Sequence, residues 1–474
     1  MRALASAGPT LPLVIEHAQT QPISAELLRL AIPAIATGLL GTAVFLADRL
    51  MLARYDQDAL ASMQLQGPLL WSITSVFMAS CAGTVALVAR SVGAGDQQRA
   101  QAVARASLRL AALLGVGVAG VGLLWLGPIV EFFGPAQAAL RALSIDYLGV
   151  TFAAMPAAFV ATSASMILAG SGDTRTPLAA GLLANASNIA LNWILIYGHD
   201  FGLFSIDPLG VRGAAIGTTA AFTIEAIYLL MVLGRANHPV CGAGWWRLRS
   251  LPQTDRTARR DIVRISLPAV AERVLVHAGF LAYAKAIASL GATAMAANQA
   301  LVTIESICFM CADGFGIAAA TIMGQQLGRG AADRARAGGQ LACTIAVVSI
   351  TIVGTVVWAT GQWTLPMFVA PGQDGTALVA LGGDALPLLA LAQPGMSAAI
   401  VLAMALRGAG DTRSPLWAAV AGGLLLRVSL AWGLVWGTDL GLVGIWWAST
   451  IDWTARAVWL AIVFRRGRWV TAKV

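Results

Sequence analysis

The chain has 474 residues, of which 58% are hydrophobic and 11% are charged, and its mean hydropathy is +0.75. A soluble domain carries roughly 25% charged residues, so this composition excludes an ordinary globular protein. The net charge of +8 does not indicate nucleic-acid binding, because that would need a soluble basic domain for which the sequence has no room.

Apolar runs of about 20 residues predict twelve transmembrane helices. In chain order they cover residues 27–52, 61–89, 101–126, 142–168, 177–197, 213–234, 264–288, 295–322, 339–361, 378–405, 415–436 and 441–463. The first 24 residues lack a clean signal peptide, because Pro12 and Glu16 break their apolar stretch. The sequence therefore predicts an all-α polytopic membrane protein.

The longest interruption, residues 235–261, divides six runs from six. The predicted segments are a cytoplasmic N-terminal segment (1–24), a six-helix lobe (25–234), a basic cytoplasmic linker (235–261), a second six-helix lobe (262–464) and a cytoplasmic tail (465–474). Arginines concentrate in the loops that follow the even-numbered spans, while the opposite loops tend to be acidic. This bias predicts that both termini lie in the cytoplasm, with the chain in the bacterial inner membrane.

The two halves repeat one another. "GDTRTP" (172–177) returns as "GDTRSP" (410–415), offset by 238 residues, and "SVGAGDQQRAQA" (91–102) resembles "QLGRGAADRARA" (326–337) at an offset of 235. "HDFGL" (199–203) matches "TDLGL" (438–442) at 239. Six spans is an even number, so the halves enter the membrane in the same sense and form a parallel repeat. Each hexapeptide is interpreted as the turn between the fourth and fifth helices of its half, in preference to a substrate contact.

The paired "GDTR(T/S)P" turns, residues 267–330 and "LNWILIYG" (191–198) resemble the multidrug and toxic compound extrusion (MATE) family. The likeness runs from about residue 25 to 465. It implies two six-helix lobes around a central cavity that exports organic, often cationic, compounds by antiport with sodium ions or protons. It further implies a monomer in the lipid bilayer that is not an enzyme and has no cofactor beyond the coupling ion.

Two polar stripes mark candidate positions inside the membrane, where ionisable groups are costly and so are functional candidates. In span 1, Thr37 and Asp48 share one helix face with Gly41 and Val44. In span 5 the asparagines follow i, i+3, i+7 spacing, which would be expensive against lipid. They are Asn185, Asn188 and Asn192.

The resemblance implies that Asp48 binds the coupling ion, that Asn188 is its partner, and that Thr218 supplies a hydroxyl. Asn192 stands where the sodium-binding branch of the family can have a second aspartate. An oxygen cluster of this kind could coordinate Na+, whereas a lone buried carboxylate could equally carry a proton. The competing interpretation is that Asp48 is an interfacial residue paired with Arg49.

Further residues are assigned by position. Glu225 follows Thr218 by seven residues on the same face, and in the second half Asp48 aligns with Tyr283 while the Asn188 region aligns with Arg427. Glu272 shares a face with Tyr283 and either attracts a cationic substrate or pairs with Arg427.

The central-cavity candidates are therefore Thr37, Asn185, Glu225, Glu272 and Tyr283. The i, i+4 residues Asp452 and Arg456 are interpreted as a structural ion pair, and the roles of Glu305, Asp313 and Arg427 stay open.

Two other classes of protein compete with a drug exporter. A membrane-embedded enzyme would need clustered catalytic or metal-binding side chains, yet the histidines are scattered along the chain. A flippase for lipid-linked substrates would need a strongly basic cavity, whereas the stripes of the first half are acidic and amide-rich.

Overall fold

The computed structural model describes residues 22–133, 137–202, 205–235, 238, 240, 253–369 and 374–471. The α-helices in chain order are α1 (Ile23–Tyr55), α2 (Gln57–Ser80), α3 (Ala82–Gly93), α4 (Gln97–Leu124), α5 (Leu126–Phe133), α6 (Ala138–Ala153), α7 (Met155–Ser171), α8 (Arg175–Tyr197), α9 (Gly210–Leu233), α10 (Gln253–Ala288), α11 (Ala292–Gly328), α12 (Ala332–Ala359), α13 (Gly361–Thr364), α14 (Thr376–Gly408), α15 (Arg413–Ala418), α16 (Arg427–Gly437) and α17 (Gly441–Arg466).

Shorter elements connect them. A π-helix, Ala419–Leu426, joins α15 to α16, and 3-10 turns cover Leu365–Phe368 and Arg468–Thr471. Two short antiparallel strands, β1 (His199–Asp200) and β2 (Ser205–Ile206), form a hairpin between α8 and α9. The predicted segment 1–24 lies almost wholly outside the described residues, as do most of the linker 235–261 and the end of the tail.

The all-α membrane fold is confirmed, since each predicted span coincides with helix. Among the described residues, ten helices are long and apolar enough to cross a membrane, or eleven if α6 and α7, bent by 50° near Pro156, form one span. The last helix, α17, is 26 residues long but carries Asp452 and Arg456 in its middle, and it does not pass that test. The count of twelve spans and the orientation of the termini remain predictions.

The chain divides into two compact units. Unit 1 takes the described residues of Ala36–Val263, and unit 2 those of Gln21–Ile35 and Arg264–Val474. The core of unit 1 includes Phe77 stacked on Phe159 at 3.8 Å between ring centroids. The core of unit 2 is built mostly from alanine, leucine and isoleucine of α11, α12 and α14.

The repeated hexapeptide folds as the same capping turn twice. Gly172 and Gly410 end their helices with φ of 95° and 97°, a region that favours glycine. The Asp173 carboxylate then accepts hydrogen bonds from the backbone N–H groups of Arg175 (3.1 Å) and Thr176 (2.9 Å), and Asp411 accepts one from Ser414 (3.0 Å). These contacts satisfy N–H groups that lack a partner at the start of a helix.

Candidate functional site

Two glycines bring α8 and α9 into close contact beneath the candidate site. Gly213 and Gly217 are spaced by four residues on α9, and a Cβ at Gly213 would lie 2.5 Å from the carbonyl oxygen of Leu195. A Cβ at Gly217 would overlap Oδ1 of Asn192. This spacing of small residues allows membrane helices to approach closely, and it places the asparagine stripe of α8 against Thr218.

Asp48 of α1 lies at the centre of the candidate site. Its side chain is buried, with 6% of its surface exposed, and Asn192 Nδ2 donates a 2.6 Å hydrogen bond to its Oδ1. Asn192 also donates to Asn188 Oδ1 at 3.3 Å, and Asn188 Nδ2 donates to the Thr218 hydroxyl at 3.3 Å. The four residues assigned from the sequence to the ion site thus form one hydrogen-bonded chain in unit 1.

The Asn188 amide fits its surroundings better when it is turned by 180°. Its Nδ2 then donates to Asp48 Oδ1 at 2.9 Å, and its Oδ1 accepts from the backbone N–H of Thr218 at 3.2 Å. Two amide donors then meet one carboxylate oxygen. Asn192 Oδ1, by contrast, is buried and accepts no hydrogen bond from any described residue. A buried acceptor without a donor is a costly arrangement.

The structure shows no ion pair between Asp48 and Arg49 among the described residues. The Arg49 guanidinium instead lies over the Phe45 ring, 4.2 Å from its centroid. The interfacial pairing considered from the sequence is therefore not the arrangement observed.

Tyr147 is a member of this site that sequence reasoning missed. Its side chain is buried and lies near both Thr218 and Asp48. The signal was present on α6, where Ser144, Tyr147 and Thr151 follow i, i+3, i+7 spacing and are all buried. This is the same polar periodicity that singled out the asparagines, but a tyrosine and two small hydroxyls are less conspicuous within an apolar run.

The remaining candidates of the first half lie apart from this chain of hydrogen bonds. Thr37, Asn185 and Glu225 are half-buried, and within the described residues no hydrogen bond joins Glu225 to Asp48 or Thr218. They remain candidates by position alone.

In unit 2 several of the candidate charged residues form ion pairs with other residues of the same unit. The Glu272 carboxylate accepts a 2.6 Å hydrogen bond from Arg407, so the alternative that pairs Glu272 with Arg427 is wrong. The sequence does not predict this partner, because hydropathy places Arg407 in a cytoplasmic loop. In the structure α14 extends through Gly408 and holds the Arg407 guanidinium against α10. Tyr283 is buried and donates to the carbonyl of Ile445 at 3.3 Å.

Asp452 and Arg456 do form the expected pair, with Arg456 Nε donating to Asp452 Oδ1 at 2.8 Å. The pair has a third member, because Arg427 Nε lies 2.8 Å from Asp452 Oδ2. Glu305 and Asp313 are half-buried on α11.

A family model settles the relationship of this chain to known proteins. The MatE model matches residues 33–194 and again residues 268–432, which together are more than half of the chain. The chain belongs to the MATE family. The two matches begin at Pro33 and Pro268, the corresponding prolines of the first helix in each half, and they agree with the internal repeat.

Several curated relatives match this MATE protein over nearly its full length. A probable multidrug resistance protein NorM of Thermotoga maritima is 25% identical over 94% of this chain and 93% of its own. A protein of the same description in Bradyrhizobium diazoefficiens is 28% identical over 93% and 92%. This MATE protein is accordingly a multi-pass protein of the inner membrane.

Solved structures share the fold. A MOP superfamily transporter from Pyrococcus furiosus superposes with a TM-score of 0.85 at 22% identity, covering 94% of this chain and 96% of its own. A MATE structure in the bent conformation superposes with a TM-score of 0.84, also at 22% identity, over 96% and 98%.

Proposed function

We propose that this protein is a cation-coupled antiporter that exports organic, cationic compounds from the cell by alternating access. Family membership and the multidrug resistance proteins among the relatives support transport of drug-like molecules. The lipid-solvated composition and the repeat of six helices also favour transport over catalysis.

The coupling ion, a proton or Na+, binds at Asp48, with Asn188, Asn192 and Thr218 shaping its pocket. The observation that carries this assignment is a buried carboxylate beside a buried carbonyl oxygen, Asn192 Oδ1, that has no donor among the described residues. Carboxylate, amide and hydroxyl oxygens are suitable ligands for a hard cation. A proton on Asp48 would equally relieve the burial of its charge.

Coupling follows if the ion binds the two conformations of the transporter with different affinity. A bound ligand shifts a conformational equilibrium by its differential affinity and by nothing else. Ion binding at Asp48 would favour the state that releases substrate outside, and substrate binding inside would follow ion release. The imposed ion gradient thereby drives export.

Ethidium transport in proteoliposomes tests the proposal. Purified protein is reconstituted, and a pH gradient or a Na+ gradient is imposed, with protein-free liposomes as the control. We expect one of the two gradients to drive ethidium movement, which also identifies the coupling ion. If neither gradient drives ethidium or a panel of organic cations, the antiport assignment is wrong.

A further inference from the structure

Four arginines lie together at the end of α17, in unit 2. Three of them follow one another at the end of that helix and in the 3-10 turn after it, and the fourth belongs to the second turn of α12; they are Arg465, Arg466, Arg468 and Arg336. Arg336 packs against the turn, because a Cβ at Gly467 would overlap its guanidinium group. The fold thus brings basic residues of two helices to one place, and together they form the arginine cluster.

A buried tryptophan fixes the turn that carries the cluster. Trp469 is 1% exposed, and its ring stacks on that of Phe464 with 5.3 Å between the ring centroids. Its Nε1 donates a 2.9 Å hydrogen bond to the carbonyl oxygen of Phe464, and Gly467 turns the chain with a φ of 70°. The arginines on either side of that glycine, Arg466 and Arg468, are therefore positioned by the core of unit 2.

The arginine cluster has no acidic partner in the part of the chain that the structure describes. Arg465, Arg466 and Arg468 are exposed and Arg336 is half-buried, and none of them forms an ion pair with a described residue. Asp333, the acid nearest to them in the sequence, lies in the first turn of α12, where the helix N-terminus favours a negative charge. Clustered positive charges without an acid favour an anionic ligand.

The first half of the chain does not repeat the cluster. α9 and α17 both begin at a glycine of positive φ, and the offset between those glycines is 231 residues. Gly234 therefore stands at the place of Arg465. At the offset of 235 that relates α4 to α12, Gln101 stands at the place of Arg336. The first half thus forms the same helices with only Arg235 basic among the four places.

The exposed face of α17 is apolar up to the cluster. Val458, Trp459 and Ile462 are 54%, 46% and 45% exposed. They precede Arg465 and Arg466 on the same helix face, by the spacing of three or four residues that repeats along a helix. Within two turns, about 12 Å at 1.5 Å per residue, the surface of this helix changes from apolar to basic. A phospholipid presents the same order of chemistry, with acyl chains followed by a charged headgroup.

We propose that the arginine cluster binds the headgroup of an anionic phospholipid whose acyl chains lie along the exposed apolar face of α17. Guanidinium groups donate paired hydrogen bonds to phosphate oxygens. The loop arginines predict that this end of α17 faces the cytoplasm, and anionic lipids are found in that leaflet. A free phosphate compound would also satisfy the arginines, but it has no use for the apolar face beside them. The proposal is independent of the transport activity.

Native mass spectrometry of the full chain, purified in detergent, measures the selectivity for the headgroup. The protein is titrated with phosphatidylglycerol or with phosphatidylcholine of the same acyl chains, and the dissociation constant of the first bound lipid is compared. The test variant is Arg336→Gln with Arg468→Gln, which leaves no described acid without its partner. The matched control is Arg256→Gln with Arg259→Gln, which removes the same charge from two exposed arginines of α10. Ile462→Ser tests the apolar face.

We expect wild type to bind phosphatidylglycerol about tenfold or more tightly than phosphatidylcholine, since each arginine near an anionic headgroup strengthens binding several-fold. The test variant should bind the two lipids with nearly equal affinity, and its retained phosphatidylcholine binding shows that it is folded. The control variant should keep the wild-type ratio, and Ile462→Ser should weaken both lipids by the same factor. Equal binding of the two lipids by wild type, full selectivity in the test variant, or an equal loss in the control variant would overturn the proposal.

Glycerol 3-phosphate separates a lipid site from a site for a soluble phosphate compound. Because it lacks acyl chains, we expect it to leave phosphatidylglycerol bound when it is added in excess to the wild-type complex. Displacement of the lipid by glycerol 3-phosphate would show that the arginines alone determine binding, and it would overturn the assignment to a phospholipid.

Discussion

At the scale of residues, the site depends on a contact that a single methyl group would disturb. Asn192 donates to Asp48 at 2.6 Å because its carbonyl oxygen fits against the bare backbone of Gly217. The amide of Asn192 thus faces the Asp48 carboxylate with its donor and Gly217 with its oxygen. The glycine is therefore as much a part of the site as the polar residues are.

Gly217→Ala tests this dependence. The new Cβ would overlap Asn192 Oδ1, so the amide must turn away from Asp48, and overpacking of this kind costs about 1–3 kcal/mol. We expect gradient-driven ethidium transport to fall by about tenfold. Gly181→Ala on α8 is the control, since a Cβ there meets no atom within 4 Å and transport should be unchanged. Wild-type transport by Gly217→Ala would remove Asn192 from the mechanism.

The sequence predicts the members of the site whose side chains are strongly polar and misses those whose side chains are compatible with an apolar helix. Asp48 and the asparagines stand out because a charge or an amide is expensive within an apolar run. Tyr147 does not, because a tyrosine ring is compatible with an apolar run, and only the fold places its side chain near Asp48 and Thr218. Likewise the Arg407 partner of Glu272 depends on where α14 ends, and helix ends are not fixed by hydropathy.

At the scale of elements, both copies of the hexapeptide act as helix caps. The aspartate of each accepts backbone N–H groups of the following turn, and a side-chain hydroxyl completes the contact: Thr176 to Asp173 at 2.5 Å and Ser414 to Asp411 at 2.6 Å. Glycine permits the left-handed turn before each aspartate. The interpretation as a structural turn accounts for the glycine, the aspartate and the fifth residue of the motif.

Replacing the capping carboxylate should therefore lower stability without touching the ion site. Loss of an N-cap costs about 0.5–2 kcal/mol, so Asp173→Ala and Asp411→Ala should each lower the thermal unfolding midpoint of the protein in detergent. Asp173→Asn and Asp411→Asn, whose amide oxygens can still accept the N–H groups, should restore most of the loss. An alanine variant that melts like wild type but fails to transport would instead indicate a substrate contact.

The π-helix is an element that the sequence does not predict. The change of offset from 238 to 239 is visible in the sequence, but an extra residue could equally lengthen a loop. The structure has a π-helix between the two matches, and Gly422 in that π-helix packs against Asp452 and Arg456. Neither the π-helix nor this contact is encoded in hydropathy.

At the scale of the whole molecule, the hydropathy pattern and the repeat are enough to predict an all-α membrane fold with two similar halves. They do not predict that the first helix of each half is divided between the two units. Residues 23–35 of α1 belong to unit 2, and α10 contributes its residues up to Val263 to unit 1. The residues of α10 that belong to unit 1 include part of the segment that the sequence assigns to a linker.

Asp255 makes the strongest of those contacts. Its side chain is 1% exposed and accepts hydrogen bonds from Arg105 at 2.9 Å and Arg109 at 3.1 Å on α4. Both arginines are partly exposed, so removing the carboxylate costs less than it would for a fully buried pair.

We expect Asp255→Ala to destabilise the protein by about 2 kcal/mol, measured as the shift of its thermal or denaturant midpoint. Asp261→Ala provides the comparison on the same helix. Its partner Arg99 lies 3.6 Å away with both side chains well exposed, and such pairs contribute about 0–1 kcal/mol. Equal effects of the two substitutions would show that Asp255 does not fasten the first residues of α10 to α4.

The proposed antiport requires that Asp48 carry the coupling ion. The measurement that tests it most directly is ethidium accumulation against its own gradient in proteoliposomes energised by the active ion, for wild type, Asp48→Asn and Asp58→Asn. Asp58 is an exposed acid in the first turn of α2 and serves as the control. We predict that Asp48→Asn abolishes accumulation while keeping its ethidium affinity, because a neutral amide cannot exchange the ion, and that Asp58→Asn accumulates ethidium like wild type. Full accumulation by Asp48→Asn would contradict the account.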